Sequence, residues 1–172
     1  MTPSLHAPIV AHGEIFAMGH LSALTVDLVN KGRLAGTDLS IEIRFSNHVA
    51  TRRAKHGEMA HVHDHHGTAR IFDAARYALS LQPPQILPAM LQQDALCFET
   101  QSYGGTKNLI SLRTDNSAEW AIVFCFHPKS DRMSLQMDIL SAHEKMINQR
   151  QISRKNISYF ARKCLFEQRR IP

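Results

Sequence analysis

Long apolar runs are missing from this 172-residue sequence. None approaches the roughly 18 residues that a membrane-spanning helix needs, so a membrane partner is not expected. Cysteine is scarce: Cys97, Cys125 and Cys164 are odd in number and widely spaced. They read as reduced core residues of a cytoplasmic protein, with neither a disulfide framework nor a zinc-type spacing. Met1–Gly13 contains no Lys or Arg, which does not support a secretory signal peptide. There is no internal repeat, no low-complexity tract and no linker long enough to separate one domain from another. What is present suffices for a core: 44% of residues are apolar and 20% charged, outside the disordered range. The length fits one domain over residues 1–172.

The formal net charge is +5, but its position says more than its sum. Residues 1–144 carry 12 basic and 14 acidic side chains. Residues 145–172 carry Lys145, Arg150, Arg154, Lys155, Arg162, Lys163, Arg169 and Arg170 against Glu167 alone, a net +7. A near-neutral body with a basic end points to nucleic acid, RNA in particular, or another polyanion, because clustered cations displace condensed counterions from phosphates.

Pro3 and Pro8 break residues 1–13 into an irregular lead-in. Phe16, Leu21, Leu24, Leu28 and Val29 predict a helix over 16–30, ended by Gly32. Leu39, Ile41, Ile43 and Phe45 alternate with Ser40, Glu42, Arg44 and Ser46, which predicts a half-buried strand. Residues 47–68 read as a polar, His-rich loop. Helices are predicted over 68–81 and 85–93, and strands near 95–101, 107–113, 118–126, 133–141 and 156–164. Thr114-Asp115-Asn116-Ser117 has the residues of a hairpin turn. Trp120 to Phe126 is apolar on both faces, as in a central strand. Helices followed by strands predict an α+β fold, with N-terminal helices packed on one face of a mostly antiparallel sheet of about five to six strands.

Two segments carry candidate chemistry. His61, His63, His65 and His66 surround Asp64 and form a weak candidate metal site through neutral imidazoles. The string lacks the His-x-His-x-Asp-His order of metallo-β-lactamase-fold hydrolases, since residue 65 is His. No cofactor or metal is therefore expected. The stronger candidate is the end of the first strand. If that strand continues to His48, Glu42, Arg44, Ser46 and His48 share one polar face, followed by Arg52 and Arg53. A histidine beside arginines suits general acid–base work on a phosphate ester. Arg76 is a further phosphate candidate, although Asp73 at i−3 pairs with it locally. Ser141 and His143 end a half-wet strand and could assist.

Phe45-Ser46-Asn47-His48 with Thr51, Arg70-x-Phe72-x-x-x-Arg76-Tyr77-x-Leu79-Ser80, Cys97-Phe98-x-Thr100, Asn108, Trp120 to Phe126 and Ser141-Ala142 together resemble a family of small uncharacterised bacterial proteins. Some of these are labelled stationary-phase growth adaptation protein. The similarity spans roughly residues 39–165, with Val49 where a Cys is usual and His143 where a Tyr is usual. In order of elements alone, the chain is also similar to barnase and EndoU-type endoribonuclease toxins. That likeness implies a sheet-borne site of His, Arg or Lys, and Ser or Tyr.

The expected function is nucleic-acid binding in a bacterial cytoplasm. Its catalytic form would be a metal-independent endoribonuclease of toxin or growth-control type. There His48 is general acid or base, Arg44 and Arg76 hold phosphates, and Ser141 or His143 assists. Arg52, Arg53, Arg154, Lys155, Arg162 and Lys163 would contact nucleic acid. The alternatives are a non-catalytic module with a protein partner, and a metal-responsive protein using the His-rich loop.

Overall fold

The computed structural model describes residues 7–101, 107–115, 118–144 and 154–172. Its main feature is a seven-stranded sheet, and the strands are numbered along the whole chain. β1 (Ile9–Ala11) and β2 (Glu14–Phe16) form a small hairpin. β3 (Leu24–Leu28) and β4 (Leu39–Phe45) follow. A second small sheet has the order β5 (Thr51–Arg53), β7 (Ala69–Phe72), β6 (Val62–His63). Two helices come next, α1 (Ala74–Ser80) and α2 (Pro83–Gln92). The rest of the sheet is β8 (Leu96–Gln101), β9 (Lys107–Asp115), β10 (Ala118–Pro128), β11 (Leu135–Glu144) and β12 (Arg154–Asn156), and helix α3 (Ile157–Glu167) closes the order. Across the large sheet the sequence is β12-β8-β9-β10-β11-β4-β3.

This corrects the expected fold. The sheet has seven strands and is mixed, since β11 pairs with β4 in parallel. The helices lie mid-chain and at the C-terminal side, not in the N-terminal segment. Residues 16–30, predicted helical, end β2, turn, and form β3. Leu24 and Leu28 fit helical and strand periods equally, but Val26 between them is buried like Leu28, with Leu24 half-buried, and only a period of two puts all three on one face. Residues 156–164 show the reverse error. Ile157, Phe160, Ala161, Cys164 and Leu165 are buried at spacings of three and four, which is a helix. The predicted helix over 68–81 is strand β7 followed by α1, with Asp73 between them accepting from Arg76 N–H at 3.0 Å as the helix cap. The polar loop over 47–68 contains β5 and β6. Asn116, Ser117, Lys145 and Arg150 lie outside the described residues.

The other strands follow their alternation. Leu39, Ile41, Ile43 and Phe45 of β4, Leu135, Met137 and Ile139 of β11, and Ile122, Phe124 and Phe126 of β10 are buried in one cluster, together with Leu87, Met90 and Leu91 of α2 and the buried side of α3. Trp120 to Phe126 is buried at every position, as a central strand requires. The opposite face carries Cys125 and His127 of β10, Gln136 and Asp138 of β11, and Glu42 and Arg44 of β4 in register. A bulge between Val123 and Phe124 leaves Leu140 of β11 without a direct partner on β10.

The start of α3 depends on a residue outside it. Asp94, in the left-handed region at φ 54°, accepts from Ser158 N–H at 2.9 Å, Ser158 Oγ at 2.8 Å and Asn156 Nδ2 at 3.1 Å. Asp94→Ala loses these bonds and places a Cβ-bearing aliphatic residue in a conformation it disfavours. Urea unfolding should show a loss of about 2 kcal/mol, with Asp94→Asn losing clearly less.

Candidate active site at the His48 turn

β4 stops at Phe45 because Ser46 starts a short 3-10 turn over Asn47–Val49, and its Oγ accepts from His48 N–H at 3.2 Å. Thr51 Oγ1 donates to Asn47 O at 2.6 Å and closes the turn. The strand therefore does not carry His48 on one face with Glu42 and Arg44 as expected. Those two remain on the sheet, where Arg44 Nε donates to Glu42 Oε1 at 2.7 Å and Lys129 Nζ to Glu42 Oε2 at 2.5 Å.

His48 has a different acidic partner, Asp64. His48 Nε2 lies 3.1 Å from Asp64 Oδ2, and the side chains are 34% and 4% exposed. Asp64 Oδ1 accepts from the backbone N–H of His66 at 3.0 Å and of Thr68 at 2.9 Å. Burial pushes the Asp64 carboxyl up, but the bonds from Thr68, His48 and His66 outweigh it and hold it well below the usual carboxylate range. An ionised carboxylate only accepts, so the His48 proton sits on Nε2 and its Nδ1 keeps the lone pair. Burial lowers the His48 pKa, the Asp64 bond pulls it back up in part, and the nearby Arg70 charge lowers it again. The result is a neutral, oriented imidazole able to take a proton.

The arginines around it hold the backbone. Arg70 is buried, and donates to Thr51 Oγ1 and Thr51 O, both at 2.8 Å. Arg76 Nη1 donates to His48 O at 3.1 Å and Thr51 O at 3.2 Å. Among the described residues neither lies at ion-pair distance from a carboxylate. Arg76 is thus a positioning residue for the His48 turn, through a contact the sequence did not reveal. A cavity of about 430 Å³ opens beside this turn, bordered by Arg44, Ser46, Asn47, His63, His65 and Asp138 among others.

The remaining candidates scatter. Arg52 is bound to Glu58 at 2.7 and 2.8 Å, and Arg53 is exposed at the end of β5. Ser141 is half-buried on β11. His143 has its backbone on β11, and its side chain lies outside the described residues. Arg154 and Lys155 are on β12, while Arg162 and Lys163 are on α3 rather than on a last strand. β12 and β4 are five strand spacings apart in the sheet, about 24 Å, so Arg154 and Lys155 are not part of the His48 site.

In the His-rich loop, His61 Nδ1 accepts from Phe72 N–H at 3.1 Å, and the rings of His65 and His66 lie 3.8 Å apart. Among the described residues this loop forms no converging ligand set. Among the described residues the one group that does converge is Cys125, His127 and Asp138, which sequence reading missed. The signal was available: a hairpin turn over 129–134 pairs Cys125 with Asp138, and the period of two puts His127 beside Cys125. A further pair, His20 Nε2 with Ser80 Oγ at 2.8 Å, ties the N-terminal segment to α1, and Ser80 is wholly buried.

The family model of the YjaZ family matches residues 8–165. The chain belongs to the YjaZ family. The expected kinship with small bacterial proteins holds at that level, over nearly the span the motifs suggested. No curated protein and no solved structure matches the chain. Among the described residues, no helix of this YjaZ-family chain is long and apolar enough to cross a membrane.

The sign of the pH response follows from the dyad. A folded His48 pKa below its unfolded value means that the unfolded chain binds more protons. Stability is therefore lost as pH falls below about 6.5. His48→Gln should flatten the dependence of urea-unfolding free energy on pH just below about 6.5. Asp64→Asn should cost about 1–3 kcal/mol at pH 7, where its acceptors matter most.

Proposed function

We propose that the protein binds single-stranded nucleic acid, RNA in particular, along the outer side of β12 and α3. The observation that carries this reading is a stripe of cations interleaved with exposed aromatic rings. Tyr159 and Phe166 are each 49% exposed. They are seven residues apart on α3, about 10 Å along its axis. Arg162 and Lys163 lie between them, and together with Ser158 and Glu167 these residues border a shallow groove of about 360 Å³. Lys155 Nζ sits 5.8 Å from the Tyr159 ring centre and Arg162 Cζ 5.7 Å from that of Phe166, while Arg154, next to Lys155 on β12, faces the other side of the sheet over the buried Phe98. Rings accept bases of any sequence by stacking, while the cations neutralise the backbone. Glu167, the one acidic residue among residues 145–172, is bound to Arg169 at 2.6 Å, and among the described residues Arg154, Lys155, Arg162 and Lys163 form no ion pair with a carboxylate. The resemblance to proteins labelled for stationary-phase growth adaptation supports a growth-control setting.

A catalytic reading rests on a separate observation, the His48–Asp64 bond beside the cavity. In that reading Asp64 holds the ring while His48 Nδ1 takes the proton of a ribose 2′-hydroxyl; the 2′-oxygen bonds to the adjacent phosphorus as the bond to the 5′-oxygen breaks, and the leaving oxygen takes up a proton from water. The basic stripe then serves to retain the strand and does not enter the chemistry.

Fluorescence anisotropy with a labelled single-stranded RNA separates these roles. Neutralising Arg154, Lys155, Arg162 and Lys163 to Gln should reduce the slope of log affinity against log salt by about 3, at about 0.7 per phosphate contact. Tyr159→Ala and Phe166→Ala should each weaken binding by about 1–3 kcal/mol and leave that slope unchanged. A control neutralising Lys31, Arg33, Lys55 and Arg132 should bind as wild type. Equal binding by both fourfold variants would remove the proposal. Cleavage of total RNA in chelator that is absent from wild type, or equal in wild type and His48→Ala, would remove the catalytic reading alone.

A further inference from the structure

The convergence of Cys125, His127 and Asp138 lies on the sheet face away from the core, and neither reading above uses it. Cys125 and His127 are two residues apart on β10, so both side chains project from the same face. Asp138 is the direct cross-strand partner of Cys125 on β11. Cys125 Sγ is 3.4 Å from His127 Nε2, and His127 Nε2 is 3.3 Å from Asp138 Oδ2. All three ligand atoms lie within 4.8 Å of one another.

From this geometry we infer a binding site for a borderline-soft divalent transition metal, zinc above all, formed by Cys125, His127 and Asp138. Around a tetrahedral zinc, with Zn–S of about 2.3 Å and Zn–N and Zn–O of about 2.0 Å, sulfur and nitrogen lie about 3.5 Å apart and nitrogen and oxygen about 3.3 Å. The two separations in the structure, 3.4 and 3.3 Å, match these values closely. A proton relay would present one imidazole nitrogen to the thiol and the other to the carboxylate. Here both converge on Nε2, which carries at most one proton, whereas one metal ion satisfies all three groups. The thiolate and imidazole select zinc-class ions over magnesium or calcium, and the carboxylate disfavours copper(I).

Two further features fit. Gln136 Nε2 donates to Asp138 Oδ1 at 2.7 Å, which fixes the carboxylate so that Oδ2 faces His127, as the outer contacts of metal ligands do. The Cys125 side is closed, while the side chains of His127 and Asp138 are 38% and 28% exposed, leaving a route for the ion. Three protein ligands leave a fourth position, the arrangement of zinc sites that hold a water or a substrate. Asp138 also borders the cavity beside the His48 turn, so the site and the cavity share a wall.

The test uses the full chain, zinc and cobalt(II). After growth with zinc and desalting, elemental analysis should find about one zinc per chain. Cobalt substitution should give a thiolate-to-metal charge-transfer band and the intense visible absorption of a four-coordinate site. Cys125→Ser should abolish the charge-transfer band. His127→Gln and Asp138→Asn, both at partly exposed positions, should weaken zinc binding more than Gln136→Ala, for which about tenfold is expected. Replacing His61, His63, His65 and His66 with Ala should change neither stoichiometry nor the band. The inference is overturned if cobalt binds without a thiolate band, if no zinc is retained, or if the loop variant loses the metal while His127→Gln and Asp138→Asn keep it.

Discussion

The parallel pairing of β4 with β11 is the contact on which the rest of the arrangement depends. It sets Arg44 opposite Asp138 and Phe45 opposite Ile139, and Ser46 N–H continues it by donating to Ile139 O at 2.8 Å. β4 leaves the sheet at this point, where Ser46 caps the turn that follows. The chain turns at Asn47–Val49, and the crossover that follows supplies the small sheet, the His-rich loop and α1. The His48 turn is therefore placed against β11 by backbone bonds, and its details are then fixed by Thr51, Arg70 and Arg76. Asp138 belongs both to the face that holds Cys125 and His127 and to the wall of the cavity beside this turn.

How much of this could be read from the residues depends on the range of the interaction that decides each element. β4, and α2 with its starting Pro83, are local: alternation and a first-turn proline fix them within a residue or three. The failures occur where two periods agree. Leu24 and Leu28 satisfy both, and β3 exists because it can pair with β4, a contact that no local window contains. The burial of Ile157, Phe160, Ala161, Cys164 and Leu165 was legible as a helix, and the misreading there came from the β-rich stretch before it. In the candidate site, His48 was legible as a candidate but was placed on the strand itself, whereas it lies in the turn after it. Its partner Asp64 is sixteen residues on, inside a string whose four imidazoles drew the chemistry to themselves. Asp64 matters as the residue that fixes one imidazole and closes its own loop, and the surrounding histidines are secondary to that.

Charge shows the same division between composition and placement. The basic end was visible as a sum, but α3 decides what the sum does. Its buried stripe takes Ile157, Phe160, Ala161, Cys164 and Leu165 to the core, and the helical period then forces Tyr159, Arg162, Lys163 and Phe166 to the outside together. A solvated tail would carry these cations without order. Folded on α3, they are spaced, paired with rings, and anchored at the helix start by Asp94 and beyond its end by Ile171, which exchanges backbone bonds with Phe126 at 2.9 and 3.0 Å.

The separation of the two regions constrains mechanism more than either does alone. Phosphate contacts on β12 cannot stabilise charge developing at His48 across about 24 Å of sheet, because a solvent-screened field falls off within a Debye length of about 8–10 Å. Charged groups on the wall of the cavity beside the turn are closer at hand. Arg44 is one, held at a fixed place by Glu42. A cation bound at Asp138 would be the other. A single β-strand thus connects the two, since Asp138 of β11 lies opposite Arg44 of β4 on one side and opposite Cys125 of β10 on the other. The face of the sheet that composition marked as merely polar is where charge could be delivered to the turn that holds His48.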